Sequence, residues 1–472
     1  MREIQHIPFI KKNLSRRISS LLLLVPLAGG IALAQADPVC DFTVAIPADG
    51  IIPAASTITV NNVNSCFSNP GTAINDNGMI VNNPAASLTH IGVLNINRAG
   101  SFHNYGALNN FAGAAIHVKD SGSFTNFSNA LFSNSGLFDV AYSGRMSNAG
   151  VIINKAGATF VDRGISSNAI WATIINEGSY TTTGLTNDGD LYNQTGAQWT
   201  NSGQLVLNVN STFTNSGTLQ GTGGVAISGL LINNSGGVIN SSGTLALNKP
   251  YAGLVNNGTV NLSGTLAVES GAAVSGAGVI NHSGYEIRVD GVLSQSALTV
   301  SHTPGSYNTV TRLNGNGTII APVTLLDGAQ VTAGKEQTAG HLTIDGDLDL
   351  QGGTVLSNIL GTSAGQFDTL NITGDIDFGS GTFQFDFGSF KPSAGDSWLF
   401  LVGDTSGLSL DEINFIFLNP KGFGFSVDVL DQGIQLSVSS YTAPVPIPAA
   451  AWFFGSSIVG LIGAARRRAR SA

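Results

Sequence analysis

The 472-residue chain predicts an all-β fold, a parallel β-helix (β-solenoid) closed by a Phe-rich C-terminal β cap, and three observations carry that prediction. Gly contributes 60 residues and charged residues only 10%, so Gly, Asn, Ser and Thr interleave with Val, Ile and Leu rather than with Lys and Glu. That texture suits short strands and many turns, and differs from both a charge-rich disordered chain and a helical one. An Asn-x-Gly triplet recurs at Asn104, Asn134, Asn148, Asn176, Asn187, Asn201, Asn215, Asn234 and Asn256, with steps such as 14, 19 and 22 residues that suggest stacked units of about one coil. Finally, Gly217-Thr218-Leu219, Gly243 to Leu247, Gly258 to Leu262 and Gly264 to Val268 alternate small or polar with apolar residues. Alternation with period two is the mark of a strand that buries one side.

The elements follow in chain order. Arg2, Lys11, Lys12, Arg16 and Arg17 form a basic run, Leu21 to Leu33 is mostly apolar, and Ala34-Gln35-Ala36 is a small-x-small site. Residues 1–36 therefore read as a signal peptide, cut by signal peptidase so that the mature chain begins at Asp37. Residues 37–68 read as an N-terminal cap. Cys40 and Cys66 are the only cysteines, and a disulfide between them closes a loop of 26 residues. On the chain-entropy model it stabilises by roughly 3.5 kcal/mol. The pair lacks a nearby His or third Cys, so no metal site is expected there.

Residues 69–310 form the Asn-x-Gly solenoid. Asn and Gly tolerate left-handed backbone, so each triplet is expected to end a short strand and turn the chain that way. Equivalent Asn side chains on stacked coils can then hydrogen-bond up and down in ladders. Residues 311–440 continue the solenoid into a cap. Eleven of the 24 Phe lie between Phe367 and Phe425, and Phe383, Phe385 and Phe387 alternate as on one strand face.

Residues 441–472 form a linker and a tag: Val445-Pro446-Ile447-Pro448-Ala449, an uncharged apolar stretch to Ala465, then Arg466, Arg467, Arg468 and Arg470. Seventeen helical residues rise ~25 Å, so a transmembrane helix over about 447–465 draws on Ile447 and Pro448 as well. The arginines act as a stop-transfer charge and hold that end in the cytoplasm.

This tail resembles the sorting signal of the PEP-CTERM class of Gram-negative exported proteins, in its VPLPA variant; Ile447 stands where that family's usual motif has Glu. The resemblance covers about 30 residues. It implies an exosortase-like transpeptidase as partner, membrane anchoring before processing, and then a place at the cell surface or in the extracellular matrix. His341 to Leu350 and Phe367 to Gly374 resemble the segment that closes β-helical passengers of autotransporters, which implies closure of a solenoid.

Setting aside residues 1–36 (five Lys/Arg, one Glu) and 444–472 (four Arg) leaves 11 basic against 28 acidic residues, a net of about −17. A phosphate-binding surface needs clustered Lys and Arg, so nucleic acid is not an expected partner. Gly361-Thr362-Ser363-Ala364-Gly365 matches a nucleophile elbow, but no His follows His341 to complete a triad in that order. Gly403-Asp404-Thr405-Ser406-Gly407 reads as a loop. Asp345, Asp347 and Asp349 resemble the start of an EF-hand, yet position twelve is Leu356 where Glu is needed, so they read as a solvated strand face. No cofactor, metal site or catalytic residue is expected.

Two function classes remain. One is a non-catalytic, adhesin-like surface or matrix protein whose partner is an extracellular polysaccharide. The other is a polysaccharide-active β-helix enzyme, a lyase or glycosidase, which needs an Arg or Lys base or paired carboxylates on adjacent coils.

Overall fold

The computed structural model describes residues 40–441 apart from 46–50, 53–55, 63–64, 69–72, 99, 304–309, 336, 406–407 and 411–412. The signal-peptide site at Ala34, Ala36 and Asp37 and the whole sorting segment, Val445 to Ala449 and Arg466 to Arg470, lie outside the described residues, as does Ser406. Every regular element among the described residues is a strand.

One coil contains three strands of four residues: Ala107–Asn110 on a first face, Ala115–Val118 on a second and Ser123–Asn126 on a third. The next coil lays Leu131–Asn134, Leu137–Val140 and Arg145–Asn148 beside them, parallel and residue for residue. This pairing continues to Asn414–Leu418 against Thr382–Asp386, making an all-β parallel β-solenoid. The period-two pattern sets the inside and outside of every face. In the six strands of these two coils the second and fourth residues are buried while the first and third face out.

The second position is apolar on nearly every coil and builds the core. On the second face it runs Phe138, Phe160, Tyr180, Trp199, four rings on successive coils with centroids 4.7, 4.5 and 4.0 Å apart. Each buried ring of this size contributes roughly 1.5–3 kcal/mol. At the N-terminal end the Cys40–Cys66 disulfide, with Cα atoms 5.5 Å apart, ties the strand Phe42–Thr43 to Ser65–Ser68.

At the C-terminal end the pattern changes. Ser397–Val402 and Phe423–Leu430 both pair antiparallel with Gly433–Tyr441. Phe383, Phe385 and Phe387 are fully buried beneath, with Phe400 against Phe385 and Trp398 against Phe387, edge to face. Switching from parallel to antiparallel pairing ends the first-face sheet with a hairpin.

Two expectations need correction. The coil is 17 to 24 residues long over most of its course, as the separations of stacked Asn110, Asn134, Asn154, Asn176 and Asn193 show. The 14-residue step from Asn134 to Asn148 does not measure a coil, because those residues stand at different corners, ending a first-face and a third-face strand. The glycines of the triplets, apart from Gly236 with φ of 80°, also do not use left-handed backbone. A Cβ on Gly217 would lie 2.3 Å from the Ala197 carbonyl oxygen, and one on Gly150 would lie 2.4 Å from that of Ala130, with neither residue at positive φ. Glycine is required there because the preceding coil passes too close for any side chain. The left-handed positions fall instead in the longer turns, at Gly113, Gly157 and Gly196 with φ of 80°, 81° and 79°.

Candidate functional site: an uncharged trough along one corner

The fourth position of each strand points into a corner, and the three corners are filled differently. Where the first face meets the second, Asn110, Asn134, Asn154, Asn176, Asn193, Asn215, Asn233 and Asn256 each donate Nδ2 to the next Oδ1. Asn256 then donates to Gln295 Oε1. Where the third face returns to the first, Asn82, Asn104, Asn126, Asn148, Asn168 and Asn187 form a second ladder. Ladder members also donate to backbone oxygens of the turns, as Asn148 does to Thr173, so they satisfy buried carbonyls that the bend removes from the sheet. Sequence reading anticipated the ladders, with two misplacements: Asn233 rather than Asn234 is the member at its triplet, and Asn201 stands at the remaining corner, donating to the Gly224 oxygen.

That remaining corner, between second and third faces, holds buried ionisable groups. Asp162 accepts from Ser166 Oγ at 2.5 Å and from Tyr180 Oη at 3.4 Å, and burial pushes its carboxyl up to about 7. Asp76, on the same file, is raised to about 7 by the same cause. His90 lies at the first–second corner, where it stacks below Asn110 in register, its ring nitrogens 3.2 Å from the Phe67 and Ala115 oxygens. Burial lowers its imidazole to about 4. Near the cap, Asp368 accepts from Thr332 Oγ1, Asn358 Nδ2 and two backbone amides, and desolvation raises it to about 6. These groups lock turns together.

Outside, the second–third corner carries a shallow trough of about 450 Å³. One wall is the outward third position of the second face: Asn240, Asn261, Asn281 and Thr299, aligned by register. Asn281 donates to Asn261 at 2.9 Å, and Asn261 to Asn240 at 2.8 Å. The other wall is formed by Ser242, Ser263, Ser283 and Ser301, two residues further on at the bend. Asn-x-Ser at 240, 261 and 281, followed by Thr-x-Ser at 299, is thus the unit that makes both walls. The trough lining contains no carboxylate, Lys or Arg.

The polar file continues upward as Gln220, Thr200 and Thr181, and then changes character. Its earlier members are Val161, Asp139 and His117. There Arg163 donates to Asp139 at 2.7 Å, His117 Nδ1 lies 3.4 Å from the other Asp139 oxygen, and the Arg163 guanidinium lies over Tyr142.

The other sequence candidates are placed as follows. Ser363 sits exposed in a loop, its amide donating to Gln366 Oε1. Asp345, Asp347 and Asp349 do not share one strand face. The strand His341–Ile344 ends before them and Leu348–Gln351 begins after Asp347, because Gly346 packs on the Ala321 carbonyl and bends the chain. Asp345 and Asp347 accept instead from Thr373 Oγ1 and the Asp375 amide of the next coil. No group of three metal-ligating side chains occurs among the described residues. Sequence reading missed the trough altogether; the Asn-x-Ser recurrence, at separations of 21 and 20 residues, was the pattern that marks it.

No protein-family model and no curated protein matches the chain.

Proposed function

We propose that this is an exported, exosortase-sorted protein of the cell surface or extracellular matrix that acts without catalysis, holding extracellular polysaccharide along its solenoid. The observation that carries this reading is the uncharged polar file from Thr181 to Thr299, continuous over adjoining coils, in a chain whose ends carry export and sorting features. A periodic row of amides and hydroxyls offers many equal contacts whose strength grows with their number. The trough lining contains no paired carboxylates and no Arg or Lys, the groups that glycosidase or lyase chemistry draws on, and His282 is its one titratable side chain.

The enzyme reading has a specific foothold in His117, Asp139 and Arg163, a base, an acid and a cation on adjacent coils. Arg163 is engaged by Asp139 in this geometry, which favours a structural pair. Incubating the mature protein with a glycan panel separates the readings. Retention of glycan without new reducing ends or unsaturated uronates supports the proposal; product formation that Asp139→Asn abolishes overturns it. Mass spectrometry of the same protein should find it starting near Asp37 and lacking Arg466 to Arg470, and recovery of the intact Arg cluster would contradict sorting.

A further inference from the structure

We infer that the Asn-x-Ser trough is a binding site for an uncharged, extended polysaccharide lying along the solenoid axis. This rests on the polysaccharide-holding reading above and adds the site and the ligand's charge class.

The fold gives no reason of its own for these side chains. Asn is disfavoured in strands, and Asn240 and Asn281 are exposed at outward positions where they bury no apolar area. The neighbouring outward file on the same face fills the comparable first position with Val238, Thr259 and Val279, the residues that strands ordinarily prefer. Three successive coils nevertheless carry Asn at the third position and Ser two residues later.

Their hydrogen bonding is directional. Asn261 donates one N–H to Asn240 and accepts from Asn281, so its carboxamide keeps a further N–H and a further lone pair. Each coil therefore presents a donor beside an acceptor, with a Ser hydroxyl facing it from the bend. An anion is recognised by donors alone and a cation by acceptors alone. Paired donor and acceptor fit the hydroxyl group, which is both, and a sugar ring supplies hydroxyls in adjacent pairs.

Spacing and electrostatics agree with that ligand. Coils stack at about 4.8 Å, so the four steps from Gln220 to Thr299 span ~19 Å. A pyranose in an extended chain advances by a distance close to one such step, which lets successive sugars meet successive Asn-x-Ser units. The chain's net charge of −9 opposes a uronate or sulfated polymer, while a neutral one is not repelled.

Affinity electrophoresis of the mature protein tests this, with hydroxyethylcellulose as the neutral probe and polygalacturonate as the anionic one. The expected result is retardation by hydroxyethylcellulose that is insensitive to salt, and weaker by about tenfold or more in the double variant Asn261→Asp, Asn281→Asp. Thr214→Ala, on the outward side of the first face, should leave retardation unchanged. Circular dichroism and thermal melting confirm that each variant is folded, and Asn261→Ser gives a milder second probe should the double variant fail to fold. Retardation by hydroxyethylcellulose that none of the trough variants alters overturns the site and leaves the polysaccharide reading standing. Retardation by polygalacturonate alone overturns the ligand class. Retardation by neither probe overturns the inference, and if the wider glycan panel is also not retained, the reading beneath it fails as well.

Discussion

Residues 82–187 and 207–289 build the same corner, where the third face returns to the first, from opposite materials. In the first stretch the inward file is Asn82, Asn104, Asn126, Asn148, Asn168 and Asn187, an unbroken amide ladder. In the second, the same register continues as Leu207, Ile227, Leu247, Val268 and Val289, all buried. The exterior inverts the arrangement: His117, Asp139 and Arg163 stand outside the first stretch, and amides line the trough outside the second. The corner therefore closes without an amide ladder, and the ladder's contribution is specificity. A slipped register would bury amides among aliphatic groups, whereas the Leu and Val file tolerates sliding. Amides inside fix the stack. Amides outside, bonded to one another from coil to coil, are the ones proposed to meet a ligand.

The largest expected effect comes from breaking the inner ladder. Asn148→Leu strands the Asn126 donor and the Asn168 acceptor and removes the bond to the Thr173 oxygen, so it should cost about 3 kcal/mol in equilibrium unfolding. Leu247→Ile, on the apolar file of the same corner, should cost less than about 1.5 kcal/mol. Equal losses would mean that the two files do the same job.

Glycine is what the two stretches share. A Cβ on Gly150 would meet the Ala130 oxygen at 2.4 Å, and one on Gly229 would meet the Asn208 oxygen at 2.4 Å. Gly150→Ala and Gly229→Ala should each cost about 2 kcal/mol, by forcing neighbouring coils apart. A loss confined to Gly150 would tie the glycine to the ladder rather than to coil spacing.

Asp162 belongs to the first stretch and should confer a pH dependence on it. Its folded pKa of about 7 lies above the ordinary carboxyl value of 3.8, so the fold prefers the neutral acid, and its stabilisation is full below 3.8 and lost as pH rises to about 7. Asp162→Asn should remove that loss, leaving the variant less pH-dependent between about 4 and 7 and more stable than wild type at pH 8. His90 has the opposite sign, losing stability as pH falls from 6.5 to about 4, and is common to both proteins. An unchanged slope in thermal melts of the variant would show that Asp162 is ionised in the fold.

The smallest effect on stability is expected where the largest effect on binding is expected. Asn261→Ser removes an exposed amide pair and should shift unfolding by less than about 0.5 kcal/mol. A larger shift would make the outer Asn row structural.

The fold class was legible because period-two strands and Asn-x-Gly turns are local patterns that survive without knowledge of neighbours. Buried Asn ladders followed from the same pattern. Which triplets share a corner did not, since Asn134 and Asn148 look alike in sequence while standing at different corners. Nor did the reason for Gly150 or Gly217, which depends on how near the preceding coil's carbonyls come. The trough was hidden for a similar reason. Asn240, Asn261 and Asn281 read as scattered polar residues until the coils bring them into one file.

The most direct test is light scattering coupled to size-exclusion chromatography of the mature protein mixed with a neutral polysaccharide. Protein and polymer should elute together, with the polymer's mass distribution unchanged over time and the association lost in Asn261→Asp, Asn281→Asp. Progressive shortening of the polymer, or separate elution of the two, would contradict the proposed function.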